Sequence, residues 1–134
     1  MKKIDIVKEW LDFSNKDFSS AKFLLNMHPA PYEIICYHCQ QAAEKVLKAY
    51  LIYHDVEPLR THDLRLLCKT CSNIDSDFDE ISNLCSSLTV YGVQPRYPFE
   101  IEINESDVLK AINDAEHIIN FTVKKIGYNT KDHQ

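Results

Sequence analysis

A row of polar residues in the first half of the chain has the spacing of a ligand-binding helix face. His38, Gln41, Lys45 and Lys48 follow one another at intervals of three, four and three residues. Residues three and four apart lie on one face of an α-helix. Ammonium groups bind phosphate, and imidazole and amide groups hydrogen-bond base edges. The row is therefore typical of a nucleotide- or RNA-binding surface, although an ordinary solvated helix face has the same pattern.

Two further segments carry candidate ligand-binding residues. Thr61 resembles the N-cap of a helix and precedes His62, and the free N–H groups of a helix start can receive an anion. In a later loop, Arg96 offers bidentate phosphate contact and Tyr97 offers a ring on which a base can stack. The alternatives are structural: an exposed histidine beside a capped helix, an ion pair for Arg96, and a core-closing role for Tyr97.

Two Cys-x-x-Cys pairs imitate a zinc site. Cys36 and Cys39 form the first pair, and Cys68 and Cys71 form the second. The first pair coincides with core positions of a strong helical pattern, and buried free cysteine behaves as a small hydrophobe. We therefore interpret these cysteines as core residues and expect no metal. The sequence also lacks a Gly-rich phosphate loop, so no cofactor is predicted.

The elements that must position these residues are helices. Apolar residues recur at helical spacing in five segments, and the scarcity of glycine (2) and proline (5) argues against a chain of tight hairpins. The predicted helices begin near Ile4, Tyr32, Thr61 and Ser76, and at Asn104 or Ser106, and the last is expected to end at Gly127. On that last helix, the predicted core residues are Val108, Ile112, Ala115, Ile119 and Val123.

Length and charge limit the possible function. The 134 residues suffice for one helical domain, expected over 1–127 and followed by a polar tail over 128–134. The net charge of −5 gives no general attraction to nucleic acid, so binding would need a local basic patch. We find no apolar run long enough to span a membrane and no secretory signal, and we expect a cytoplasmic protein.

Three segments together resemble the HEPN domain family. They are Tyr37–Leu51 (YHCQQAAEKVLKAYL), Thr61–Leu64 (THDL) and Arg96–Pro98 (RYP), in the order that the family shows. The resemblance implies an all-α fold, an up-and-down antiparallel bundle of four long helices plus one short helix. It also implies a homodimer, association with nucleotide or RNA, and partnership with a minimal nucleotidyltransferase, in some members as a toxin–antitoxin pair.

Catalytic members of that family are metal-independent ribonucleases with an Arg followed, after four to six residues, by a His. Here the first histidine after Arg96 is His117, and Arg60 lies too close to His62. The resemblance therefore favours a non-catalytic binding module. One alternative is a ribonuclease assembled from noncontiguous residues such as His38 or His62 with Arg96, and another is a purely structural protein-interaction domain. The residues expected to converge on a binding groove are His38, Gln41, Lys45, Lys48, Thr61, His62, Arg96 and Tyr97.

Overall fold

A computed structural model describes residues 2–92 and 102–131, with side chains as far as Gly127. The described residues form helices and no strand, as predicted. The helices are α1 (Lys3–Leu24), α2 (Tyr32–Tyr53), α3 (Leu64–Ile74), α4 (Ser82–Leu88) and α5 (Glu105–Lys131). Two 3-10 segments, Ser76–Ile81 and Thr89–Gly92, flank α4. The predicted fourth helix is therefore a seven-residue α-helix between two tighter turns, and the three long helices are α1, α2 and α5.

The first two helices run antiparallel and pack closely. Lys3 at the start of α1 pairs with Asp55 just after α2, with Nζ 3.3 Å from Oδ1. In mid-helix, the Ser14 hydroxyl donates to the Ala42 carbonyl at 2.7 Å. A hydroxyl reaches a neighbouring backbone only where small residues allow close approach, and Ala42 and Ala43 are fully buried. The small residues of α2 thus set the distance between the two helices.

The second helix is the centre of the core. It packs against α1, α3, α4 and α5, and more than half of its residues are buried. Its largest aliphatic side chains with no exposure are Ile35, Leu47 and Leu51, which burial removes from water at a gain of roughly 1.5–3 kcal/mol each. Because α2 is enclosed on several sides, only a narrow strip of its surface can hold polar side chains.

Helix ends differ from the predicted ones at two places. The N-cap of α3 is Asp63, whose carboxylate accepts the backbone N–H of Arg65 at 2.9 Å. Thr61 instead accepts the N–H of Asp63 at 3.0 Å, so it shapes the preceding turn and does not cap the helix. At the other end of the chain, α5 continues through Gly127 to Lys131, because one glycine costs only about 1 kcal/mol within a helix.

The buried face of α5 lies beside the predicted one. Val108 and Ala115 are buried as expected, but Ile112 and Ile119 are only partly buried and Val123 is exposed. The buried row contains Val108, Ala111, Ala115, Ile118, Thr122 and Ile126. Helix α5 has two adjacent apolar rows, and contact with α2 and α4 selects between them. Within residues 2–92 and 102–131, no helix combines the length and hydrophobicity of a membrane span.

Candidate functional site

Helix α2 presents His38, Gln41, Lys45 and Lys48, here called the polar row, along one face. All four are partly buried, between the enclosed core residues and solvent. The sequence pattern therefore placed them together correctly. Their hydrogen-bond partners show that this face is not an ordinary solvated surface, since two carboxylates organise it.

The first carboxylate is Asp17 of α1, which joins α1 to α2. His38 Nδ1 lies 3.0 Å from Asp17 Oδ1, and Lys45 Nζ lies 2.5 Å from Asp17 Oδ2. His38 and Lys45 are two helical turns apart, so one carboxylate can reach both. We call these three residues the Asp17 network. It fixes one ring nitrogen of His38 and neutralises Lys45 at the α1–α2 boundary.

The second carboxylate is Glu44 of α2 itself, with a side chain only 5% exposed. Lys48 Nζ lies 3.0 Å from Oε2, in the i,i+4 arrangement of a helix. From the loop before α3, His62 Nδ1 lies 2.8 Å from Glu44 Oε1, although the His62 side chain is itself 67% exposed. We call Glu44, Lys48 and His62, with the two glutamines that join them, the Glu44 network.

Those glutamines extend the Glu44 network to the loop between α2 and α3. Gln40 is buried and its Nε2 donates to the His62 carbonyl at 2.8 Å. Gln41 Nε2 donates in turn to Gln40 Oε1 at 2.8 Å. A Cβ atom on Gly92 would lie 3.2 Å from Gln40 Nε2, which is closer than ordinary van der Waals contact. A glycine at 92 is thus what lets the end of the 3-10 segment approach this amide.

The start of α3 is held in the same region. Thr89 Oγ1 donates to the His62 carbonyl at 3.3 Å and accepts the N–H of Leu64 at 2.9 Å. A hydrogen bond from Arg65 lowers the pKa of Asp63, so the N-cap carboxylate stays ionised at neutral pH. The backbone around His62 is therefore fixed from both sides, which leaves its exposed ring held at a defined position.

Aromatic residues of α1 border the row. Lys48 Nζ lies 5.9 Å from the Trp10 ring centroid, and Lys45 Nζ lies 5.8 Å from that of Phe13, both within cation–π range. Two shallow cavities follow this boundary. One of about 370 Å³ is lined by Glu9, Trp10, Phe13 and Lys45. The other, of about 550 Å³, is lined by Ser19, Ser20, Phe23, Leu24 and His38.

Charge pairing determines what the site can do. Lys45 and Lys48 each face a carboxylate, so the row adds no net positive charge from its lysines. His38 and His62 each use Nδ1 to contact a carboxylate, and within the described residues Nε2 of neither ring has a hydrogen-bond partner. A ring held in this way offers Nε2 as a defined donor or acceptor to a ligand, or as a proton-transfer group.

The predicted site residues thus fall into three groups. His38, Gln41, Lys45, Lys48 and His62 belong to the two networks. Thr61 bonds within the turn before α3 and, among the described residues, has no hydrogen bond to either network. Arg96 and Tyr97 lie outside the described residues, so their predicted place in the groove stays a prediction. The sequence pattern did not identify Asp17, Gln40 or Glu44 as organising groups, although the i,i+4 spacing of Glu44 to Lys48 was a usable signal.

The cysteines are core residues, as interpreted from the sequence. Cys36, Cys39, Cys68, Cys71 and Cys85 are all buried and unpaired. Burial raises the pKa of the Cys36 thiol to about 12, so it is protonated at neutral pH and a poor nucleophile. Within the described part of the chain, no three His, Cys, Asp or Glu side chains group as a metal site would require.

The HEPN domain model matches residues 7–126 of the chain. Two solved structures share the fold. The crystal structure of TT1696 from Thermus thermophilus has a TM-score of 0.74 and 20% identity, covering 89% of this chain and 97% of that one. ST0689, an archaeal HEPN homologue, has a TM-score of 0.68 and 24% identity, covering 90% of this chain and 97% of that one. No match was found among curated proteins. Since the family match spans most of its length, the chain belongs to the HEPN domain family.

Proposed function

We propose that this chain is a non-catalytic module that binds nucleotide or RNA along the polar row of α2 and at His62. One observation carries the proposal. His38 and His62 are each fixed through Nδ1 by a carboxylate of low exposure, Asp17 or Glu44. A surface that uses two carboxylates to orient two imidazoles is organised for recognition, because an ordinary solvated face gains little from such order.

The chemistry of the groove suits hydrogen-bonded recognition more than charge attraction. Because both lysines are paired, the affinity should come from directed donors such as His62 Nε2 and from the ring of Trp10. We therefore expect a weaker dependence on salt than a surface of unpaired lysines would show. A nucleotide or a short single-stranded RNA has the phosphate and base edges that these groups can contact.

The proposed biological setting is a pair with a minimal nucleotidyltransferase, of the toxin–antitoxin type, in which this chain acts as a homodimer. Family membership supports this setting, and the −5 net charge agrees with a protein partner at least as well as with nucleic acid alone. Co-expression with a nucleotidyltransferase encoded beside this chain, followed by purification of one component, tests the pair.

Isothermal titration calorimetry with ATP and with a short single-stranded RNA tests the binding. We expect measurable binding of at least one ligand, and His62→Ala should weaken it about tenfold because one oriented hydrogen bond is lost. The matched control is His117→Ala, since His117 is also an exposed histidine but lies on α5. Absence of binding to both ligands, or equal loss in the two variants, would contradict the proposal.

A second candidate function is metal-independent RNA cleavage, which the same two pairs favour. An imidazole oriented by a carboxylate through Nδ1 is the arrangement of a general acid or base. Incubation of the purified protein with total RNA, beside His38→Ala, His62→Ala and Arg96→Ala, separates the two functions. Cleavage by the wild type that is lost in the variants would establish a ribonuclease. Intact RNA would favour the non-catalytic binding module.

A further inference from the structure

The outward face of α1 carries an exposed aromatic ring between opposite charges. Phe13 is 52% exposed and lies at the middle of the helix. Glu9 lies one turn before it and Lys16 one turn after it, and both are exposed. Spacings of four and three residues place all three on one face. The charges therefore change sign across Phe13, with the acid toward the N-terminus and the base toward the C-terminus.

We propose that this face binds a second copy of the chain, with the two α1 helices antiparallel about a two-fold axis at Phe13. In that arrangement the two Phe13 rings meet, and Glu9 of each copy lies opposite Lys16 of the other. A two-fold interface must be self-complementary, and a sign change about a central apolar residue satisfies that condition. The inference gives an interface to the homodimer of the proposed function and rests on it.

The geometry of α1 permits a long contact. Because Phe13 is central to the 22 residues Lys3–Leu24, an antiparallel copy overlaps the helix along its full length, about 33 Å. The overlap reaches Phe23, which is the most exposed of the large apolar residues in the described chain. Aromatic residues are enriched at protein–protein interfaces relative to the rest of a protein surface.

The charge pattern favours a second copy over nucleic acid at this surface. Two ammonium groups lie near the Phe13 ring centroid, Lys16 Nζ at 5.5 Å and Lys45 Nζ at 5.8 Å. Glu9, however, lines the same cavity as Phe13 and Lys45 and would repel phosphate. Lys45 also belongs to the Asp17 network. The second copy would therefore lie along the edge of the polar row and form one wall of the proposed binding groove.

Sedimentation equilibrium of the full chain and its variants tests the surface. We expect the wild type to be a dimer and Phe13→Glu to be a monomer. Glu9→Lys and Lys16→Glu should each raise the dimer dissociation constant about tenfold, because each places like charges opposite one another. The double variant Glu9→Lys/Lys16→Glu should return to within about threefold of the wild type, since the swapped charges pair again.

The matched control is Leu109→Glu on α5, because Leu109 is 53% exposed, almost the same as Phe13. It should leave the dimer intact, and circular dichroism should show that all variants are folded. A monomeric wild type, a dimeric Phe13→Glu, or a double variant without recovery would overturn this surface. The ligand titrations give an independent readout: a monomeric wild type that binds nucleotide would refute the homodimer and this interface but not the proposed ligand binding, and a dimeric Phe13→Glu would refute the interface alone.

Discussion

The two carboxylate networks contain similar residues but stabilise different parts of the fold. The Asp17 network joins two long helices through a carboxylate that is 14% exposed, and both of its partners are on α2. The Glu44 network joins α2 to a loop through a carboxylate that is 5% exposed, and it includes two glutamines. Packing of Ser14 against Ala42 already aligns α1 and α2, whereas the loop before α3 has fewer apolar contacts to hold it.

The two networks therefore differ in how strongly the local fold depends on them. Removal of Asp17 leaves two helices that still share a core. Removal of the Glu44 charge leaves Lys48 nearly enclosed without a counter-charge and releases His62. The loop of His62 should therefore depend on its network far more than the α1–α2 pair does.

Glu44→Gln should produce the largest effect. We expect the free energy of unfolding to fall by about 3 kcal/mol, because a buried ion pair loses one partner. Urea denaturation followed by circular dichroism measures this loss, with Glu80→Gln on an exposed site as the matched control. A loss no larger than that of the control would show that the enclosed carboxylate does not organise the loop.

Asp17→Asn should cost less, about 1 kcal/mol, because the side chains of His38 and Lys45 are 29% and 25% exposed and can regain water more readily than Lys48, which is 12% exposed. The same denaturation experiment gives the value. Backbone amide exchange should stay slow in α1 and α2 of this variant, while Glu44→Gln should speed exchange near His62. If the two variants destabilise equally, the proposed difference between the two networks is wrong.

Lys125→Gln removes a partly exposed contact with Asp75 and Asp77 and should have the smallest effect, about 0.5 kcal/mol at neutral pH. Hydrogen bonding to Lys125 lowers the pKa of Asp75 from its ordinary 3.8. The folded state thus binds the proton less readily than the unfolded state, so this stabilisation exists above pH 3.8 and disappears as the pH falls through the lower folded value. The difference in stability between wild type and variant should shrink accordingly in acid urea titrations.

The sequence predicted the helices well and the networks poorly, for a physical reason. Periodicity within one helix places His38, Gln41, Lys45 and Lys48 on a common face without any knowledge of other elements. The partners Asp17 and His62 come from distant segments, and their positions depend on how α1 and the loop pack on α2. Local spacing contains no information about that packing.

The same limit explains the face of α5. Two adjacent apolar rows satisfy helical periodicity equally well, so the choice between Ile118 and Ile119 as the buried residue belongs to the neighbouring helices. The predicted end of that helix was wrong for a different reason. Gly127 can stop a helix, but it stops one only where the chain must turn, and here the helix continues.

Because all five cysteines are buried, the reactivity of their thiols reports local unfolding of the protein. The five thiols are distributed over α2, α3 and α4, and none is accessible in the native state. A thiol-specific reagent can therefore react only during a fluctuation that uncovers the helix concerned. Mass spectrometry of labelled peptides would rank the three helices by how often each separates from the bundle, without any probe having to be introduced.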